Sequence, residues 1–202
     1  MVWPGTHTVV VPNPDLKPEK SLNYEAGSSF KADGVFGSDD HLFAKAVFFY
    51  DDVKDFIAPK AWLEPTTPPT LYYSSQNVGH VVRKGIELSG TYAAGQFSTS
   101  VSYGLLHAVD KETNERMNGI TPQSANLKLA YAFPAQAINV WYRAHWSKGG
   151  ESSVEDRATG KKLHFSSFLT HSLGAEWSPK VADLANLQAG IAAVNLFDKE
   201  YR

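Results

Sequence analysis

Three aromatic side chains in one polar, proline-rich region and a histidine that follows the region are the first candidates for binding a ligand. The region covers residues 52–76 and is followed closely by the histidine. Their aromatic and imidazole rings could stack on a flat or catecholate ligand. The alternative is that the rings pack within the loop or mark a membrane interface. The candidates are Trp62, Tyr72, Tyr73 and His80.

No arrangement of residues predicts an enzyme. The sequence lacks the nucleophile-elbow, zinc-protease and phosphate-loop motifs, and no spacing indicates paired carboxylates. Asp51, Asp52 and Asp55 form an acidic cluster, which is either a site for a cation such as calcium or the solvated end of a strand. His164 and His171 lie too far apart for a tight metal motif, which favours surface or interfacial positions. We therefore predict no catalytic residue, no metal site and no intrinsic cofactor.

Composition excludes some classes of protein and leaves others open. The net charge of −2 gives no reason to expect nucleic acid as a partner, and the absence of cysteine excludes disulfides. The mean hydropathy is −0.29, and no apolar run reaches the roughly 18 residues of a transmembrane helix. A membrane β-barrel stays possible, because its strands alternate apolar and polar residues. Residues 1–5 carry no secretory signal, which an outer-membrane protein needs. Either the chain is part of a longer protein, or the interpretation as a membrane protein is wrong.

Eight segments alternate between apolar and polar residues. A period of two predicts strands with one apolar and one polar face, and the usual segment length is close to what a tilted strand needs to cross a bilayer. We therefore predict an all-β protein. The segments are 22–31, 42–51, 83–92, 97–105, 124–133, 138–147, 169–177 and 187–193.

The lengths of the connections favour a membrane barrel. Residues 52–76, 107–122 and 148–165 form long polar connections, whereas 93–95 and 134–135 are tight turns. Outer-membrane barrels have long loops at one end and short turns at the other. Aromatic residues near both ends of the strands are typical of the two membrane interfaces. Residues 180–188 have helical spacing, which a turn and the start of a strand explain equally well.

Three motifs resemble TonB-dependent outer-membrane receptors. They are Asn-Pro-Asp-Leu-Lys-Pro-Glu with Asn-Tyr-Glu-Ala-Gly in 13–27, Asn-Val-Gly with Lys-Gly-Ile-Glu-Leu in 77–88, and Val-Asn-Leu-Phe-Asp-Lys-Glu-Tyr in 194–201. The resemblance implies an antiparallel up-and-down transmembrane β-barrel, present here as a partial wall of about eight strands. Residues 1–202 would be one partial barrel domain, without the plug, the early strands and the last strand.

The same resemblance implies a transport function in the bacterial outer membrane. The full protein would be an active-transport receptor for haem or a ferric siderophore, with the ligand bound by extracellular loops. The expected partners are outer-membrane lipid, an iron-bearing small molecule or a haem carrier, and the TonB complex, which would act through the missing plug. The charged residues of the polar face would either contact that plug or be hydrated as ordinary residues of the barrel wall. They are Arg83, Glu87, Lys128 and Arg143.

His7 gains a specific role from the resemblance. The Asn13–Leu16 box resembles a box in haem-uptake members of the family. Those members have a histidine in the loop before the box, and that histidine can ligate haem iron. His7 lies six residues before the box. The preceding Phe-Arg-Ala-Pro motif of those members is not matched by Val2–Gly5. The prediction for His7 is therefore an axial ligand, and the alternative is an ordinary loop histidine.

Two other architectures compete with a partial barrel. A complete eight-stranded barrel with a structural or adhesive role requires residues 22–31 to pair with 187–197. A soluble β-sandwich that acts as a binding module requires apolar residues of two central segments to be buried between two sheets. Those residues are Leu127, Leu129, Val140 and Tyr142.

Overall fold

The computed structural model of the chain describes residues 7–64, 70–77, 79–117, 120–155, 162–179 and 187–200. Strands dominate, and a 3-10 turn at Pro134–Gln136 joins two of them. A membrane-spanning helix is absent from these described ranges. The strands are β1 (His7–Val10), β2 (Lys20–Asp33), β3 (Asp40–Lys54), β4 (Ile57–Glu64), β5 (Thr70–Asn77), β6 (His80–Ala94), β7 (Phe97–Asp110), β8 (Gln123–Phe133), β9 (Ile138–Ser147), β10 (Gly150–Glu155), β11 (Lys162–Phe165), β12 (Phe168–Trp177) and β13 (Ala189–Ala193).

The eight predicted segments become one antiparallel eight-stranded sheet in the order β13-β12-β9-β8-β7-β6-β3-β2. Segment 138–147 coincides with β9, and the other segments overlap the remaining strands closely. Neighbours in the sheet follow one another along the chain, apart from the excursions through β4–β5 and β10–β11. The prediction of an all-β, up-and-down partial barrel wall of about eight strands is confirmed.

The apolar face of this sheet is continuous from strand to strand. Phe97 pairs with Tyr131, Tyr131 with Val140, Val140 with Ala175, and Ala175 with Ile191. Paired residues lie on the same face of a sheet, so the row forms one stripe. Several of its members are exposed, and Ile191 is 78% exposed. An exposed apolar stripe of this length is what the lipid-facing side of a barrel requires.

The sheet is open, which contradicts the complete eight-stranded barrel. Closure would place β2 beside β13, but these two strands form the opposite edges of the sheet. Each edge strand therefore has one side without a partner in the described part of the chain.

The soluble sandwich is contradicted by burial. Leu127, Leu129, Val140 and Tyr142 are only half-buried, although a sandwich would cover them with a second sheet. The buried apolar side chains of these two strands, Ala130 and Trp141, lie on the opposite face.

Two of the predicted long loops contain strands. Within 52–76, β4 and β5 form an antiparallel hairpin, and β1 adds to β5 in parallel, which gives a three-stranded sheet in the order β1-β5-β4. Within 148–165, β10 and β11 form a second hairpin. The sequence pattern did not predict these strands, because they are short and polar and the first hairpin contains proline. Pro59 is tolerated because β4 is an edge strand, where a missing N–H costs little.

The described chain divides into two compact units. The first has its own small core of Val53, Val81, Val82 and Ala108 and contains the three-stranded sheet. The second contains β8, β9, β12 and β13. Strands β2, β3, β6 and β7 contribute residues to both. The units are Met1–Tyr24, Tyr50–Arg83 and Ala108–Arg116 for the first, and Glu25–Phe49, Lys84–His107 and Met117–Arg202 for the second.

Candidate functional site

The three-stranded sheet places three of the predicted ligand-binding residues on one face. In the parallel pairing of β1 with β5, His7 is opposite Thr70 and Val9 is opposite Tyr72. In the hairpin, Trp62 is opposite Tyr72. Opposite residues share a face, and residues two apart on a strand also share it. His7, Tyr72 and Trp62 therefore line the same side of the sheet.

Trp62 and Tyr72 form a stacked pair. Their ring centroids are 5.4 Å apart and the planes are inclined by 12°. This separation is within the range in which aromatic rings attract each other, and both side chains are only half-buried. The pair offers a preformed apolar surface to a flat ligand.

His7 is at the exposed outer edge of this surface. It lies in the edge strand β1, two residues before Val9, the partner of Tyr72. Two residues of a strand span about 6–7 Å. A neutral imidazole beside a planar aromatic surface can coordinate the iron of a porphyrin whose ring stacks on that surface.

Tyr73 and His80 lie apart from this surface. Tyr73 pairs with Val10 and Ala61, so it projects from the opposite face of β5, where it is 40% exposed. His80 contacts Asp52, with 2.8 Å between Nε2 and Oδ1. These residues are close together in the sequence, but the register of β5 separates Tyr73 from Tyr72, and His80 lies in β6.

The Asn-Pro-Asp-Leu-Lys box attaches the chain after β1 to β5. Asn13 donates from Nδ2 to the carbonyl of Ser75, at 3.0 Å. The Lys17 N–H donates to Oδ1 of Asn77, and the Asn77 amide donates back to the Lys17 carbonyl. The same amide donates to the Asp55 carbonyl, at 2.6 Å. Asn77 therefore holds three segments together, a role that its place in the Asn-Val-Gly motif did not reveal.

The acidic cluster is used for pairing. Asp51, at the loop end of β3 in the first unit, accepts hydrogen bonds from the Ser21 hydroxyl and from the Arg83 guanidinium, whose Nε is 2.8 Å from Oδ2. Burial raises the pKa of Asp51, but these hydrogen bonds and the Arg83 charge outweigh it, and the pKa lies below the ordinary 3.8. With Asp52 paired to His80, no group of three metal-ligating side chains forms in the described ranges.

Comparison with known proteins identifies the family. The model of the family "TonB dependent receptor-like, beta-barrel" matches residues 3–196. A "Heme/hemopexin utilization protein C" of Haemophilus influenzae (strain 86-028NP) is 26% identical over 195 residues, which are 95% of this chain and 27% of that protein. The "Vitamin B12 transporter BtuB" of Photobacterium profundum is 28% identical over 202 residues, covering 100% of this chain and 29% of that protein.

Solved structures show the same fold. The "Copper transporter OprC" superposes with a TM-score of 0.74 at 20% identity, over 94% of this chain and 27% of that one. The "FrpB iron transporter from Neisseria meningitidis (F3-3 variant)" gives 0.67 at 18% identity, over 96% of this chain and 28% of that one. The chain spans little more than a quarter of the length of these relatives. It belongs to the TonB-dependent receptor family and forms part of the family's β-barrel.

Proposed function

We propose that the full protein is an outer-membrane receptor that imports an iron-bearing ligand, with haem favoured, and that TonB energises the import. Three of the relatives are named for the use of haem and hemopexin, and two further relatives are each named "Hemin receptor". The exposed apolar stripe of the large sheet supports a place in a bilayer. The TonB partner rests on membership of the family.

The choice of haem rests on one observation: His7, Trp62 and Tyr72 lie on the same face of the three-stranded sheet. Haem is a flat apolar ring with an iron at its centre, so a protein can bind it by stacking and by one axial nitrogen. The stacked pair supplies the flat surface. His7 supplies an exposed imidazole at the edge of that surface.

A ferric siderophore with aromatic groups is the second candidate. The Trp62–Tyr72 pair stacks equally well on a catechol ring. A siderophore already fills the coordination sphere of its iron, so it needs no protein nitrogen. The effect of removing the His7 imidazole therefore separates the two ligands.

The test is a titration of the full-length receptor in detergent with hemin. We expect His7→Ala to change the Soret spectrum and to weaken hemin binding about tenfold or more. Thr8→Ala is the matched control, because Thr8 is exposed on the same strand and points to the opposite face. An unchanged spectrum and affinity in His7→Ala would remove haem ligation by His7.

The aromatic surface is tested independently of the iron. Trp62→Leu keeps an apolar side chain but removes the stacked ring, and we expect a loss of about 30-fold in affinity for hemin or for a catecholate chelate, the size typical of a buried aromatic anchor. Normal affinity for both ligands in this variant would exclude this face of the three-stranded sheet as the binding surface.

Tyr73 and His80 stay as predictions of the sequence. Their positions allow a contribution only from the other side of β5 or through Asp52. Tyr73→Ala and His80→Gln in the same titration measure that contribution, and a loss comparable to that of Trp62→Leu would show that the ligand contacts more than one face.

A further inference from the structure

Two cations face each other on the polar side of the large sheet. Lys128 in β8 is directly opposite Arg143 in β9, and the row continues through Ser100 and Ser172. Like charges in opposite positions destabilise a sheet. Neither this row nor the neighbouring one, which consists of Ser102, Asn126, His145 and Thr170, contains an acidic residue. The two cations therefore have no acidic neighbour in these two rows of the described sheet.

Arg143 is held against the wall of the sheet. Its guanidinium carbon is 4.4 Å from the ring centroid of Trp141, which is buried on the same face. Gly174 is opposite Trp141 and leaves room for the indole, since a Cβ at that position would collide with the ring. This packing fixes the position of the charge and leaves the guanidinium donors to a ligand.

His145, two residues along β9 on the same face, is oriented as a metal ligand would be. Its Nδ1 is 2.7 Å from Oδ1 of Asn126, and the Asn126 amide donates to the Ser102 hydroxyl at 3.1 Å. Because the amide oxygen of Asn126 faces the ring, a proton on Nδ1 of His145 would satisfy this contact. In the neutral ring the lone pair is then on Nε2, the arrangement by which a second hydrogen bond orients a coordinating histidine.

We infer that this cluster is a transit site for ferric haem on the inner wall of the barrel. Lys128 and Arg143 bind the two carboxylates of the porphyrin, and Nε2 of His145 coordinates the iron. The inference rests on the proposed function and adds a second site, separate from the one at His7. The polar face of a barrel strand lines the interior, so a ligand that crosses the barrel passes this wall.

The space over the cluster is suitable for such a ligand. A groove of about 520 Å³ lies over the two rows and is lined mainly by serine, threonine, asparagine and the cationic side chains. Small-molecule sites in proteins have volumes of about 300–1,000 Å³. The serine and threonine side chains leave the surface open, and the charged side chains provide the specificity for carboxylates.

The test measures hemin binding and hemin uptake separately in cells that produce the full-length receptor. Without an energy source, hemin binds only at the outer surface; with energy, the initial rate of uptake includes transit. We expect His145→Ala and the double variant K128Q/R143Q to slow uptake about tenfold and to leave surface binding within about twofold. Lys45→Gln is the matched control, since Lys45 is an exposed cation on the polar face of β3, outside the groove.

Hemin dimethyl ester separates the two parts of the site. It retains the iron but has no carboxylates, so K128Q/R143Q should not slow its uptake further, whereas His145→Ala should. Uptake of hemin at the normal rate in both variants, with equal amounts of folded receptor, would overturn the transit site and leave the proposed function intact. Equal losses for hemin and its ester in K128Q/R143Q would overturn the carboxylate contact and indicate that the cations have a structural role. Absence of any hemin binding to the unaltered receptor would reject the proposed function and the transit site together.

Discussion

Asp51 accepts hydrogen bonds from Ser21 and Arg83, and only 7% of its side chain is exposed, against 43% for Arg83. The carboxylate is therefore the more costly partner to leave alone, because its hydration is already lost. The sequence showed three nearby aspartates, which indicated either a cation site or the solvated end of a strand. The structure instead shows that an arginine 32 residues away neutralises the buried one.

Removing that arginine should loosen the first unit. In Arg83→Met the chain keeps a side chain of similar length, but Asp51 loses its charged partner, and we expect a local destabilisation of about 1–3 kcal/mol. The measurement is amide hydrogen exchange of β3 and β6 in the full-length receptor in detergent. Lys84→Met, the next residue along the strand, is the control. Equal exchange in Arg83→Met and the unaltered receptor would show that the pair adds nothing to stability.

Acid should have the same effect as this substitution. The pKa of Asp51 lies below its ordinary value of 3.8 in the folded protein, so the carboxylate stabilises the fold at any pH above 3.8. That contribution to stability decreases as the pH falls from 3.8 through the lower pKa of the folded protein. Below that pKa, Asp51 is protonated in both the folded and the unfolded state. We expect the protection factors of these amides, which are corrected for the intrinsic exchange rate at each pH, to fall in this acidic window. Arg83→Met should show a smaller acid dependence, and an identical one would contradict the assignment to Asp51.

Among the structural elements, the polar box at Asn13–Lys17, which precedes β2, has a clear structural role. Its side-chain and backbone groups bond to Ser75 and Asn77, so the box determines where β5 lies in the first unit. The face that carries Trp62 and Tyr72 depends on the register of β5. The box therefore positions the candidate site without being part of it.

Asn77→Ala should release β5. The change removes three hydrogen bonds, two with Lys17 and one with Asp55, and we expect their loss to cost about 1–3 kcal/mol. We expect faster amide exchange in β5 and weaker hemin binding, although residue 77 lies five positions from Tyr72. Ser74→Ala, in the same strand, is the control because, among the residues that the structure describes, the Ser74 hydroxyl contacts the carbonyl of the next residue at the long distance of 3.4 Å. An unchanged hemin affinity in Asn77→Ala would show that β5 keeps its register without the hydrogen bonds of Asn77.

At the scale of the whole molecule, the exposed apolar stripe and the two open edges determine how the chain behaves in water. Large apolar side chains from β2 to β13 are more than a third exposed, among them Leu22, Phe48, Val101 and Leu173. An apolar surface of this extent and unpaired strand edges both cause association in water.

The 202-residue chain alone should therefore aggregate without detergent and become dispersed in a detergent that covers the stripe. Sedimentation with and without detergent measures this. Replacing Leu88, Val101 and Leu173 by serine should reduce the aggregation, whereas the same number of serine substitutions on the polar face should not. A soluble monomer that melts cooperatively in water would contradict a lipid-facing sheet.

The sequence alone determined the strands of the large sheet, the faces of those strands and the family. Alternation with a period of two depends only on neighbouring residues, and the same residue types recur wherever one face of a strand contacts lipid. The sequence also predicted His7, Trp62 and Tyr72 as ligand-binding residues.

The pairing of distant segments, in contrast, determines which residues of different strands share a face or form an ion pair. The hairpin of β4 and β5, the parallel addition of β1, the Asp51–Arg83 pair and the Lys128–Arg143 row all join residues that are distant in the chain. A shift of one residue in any of these pairings would move every side chain to the opposite face, and no local pattern specifies that register when both faces are polar or mixed.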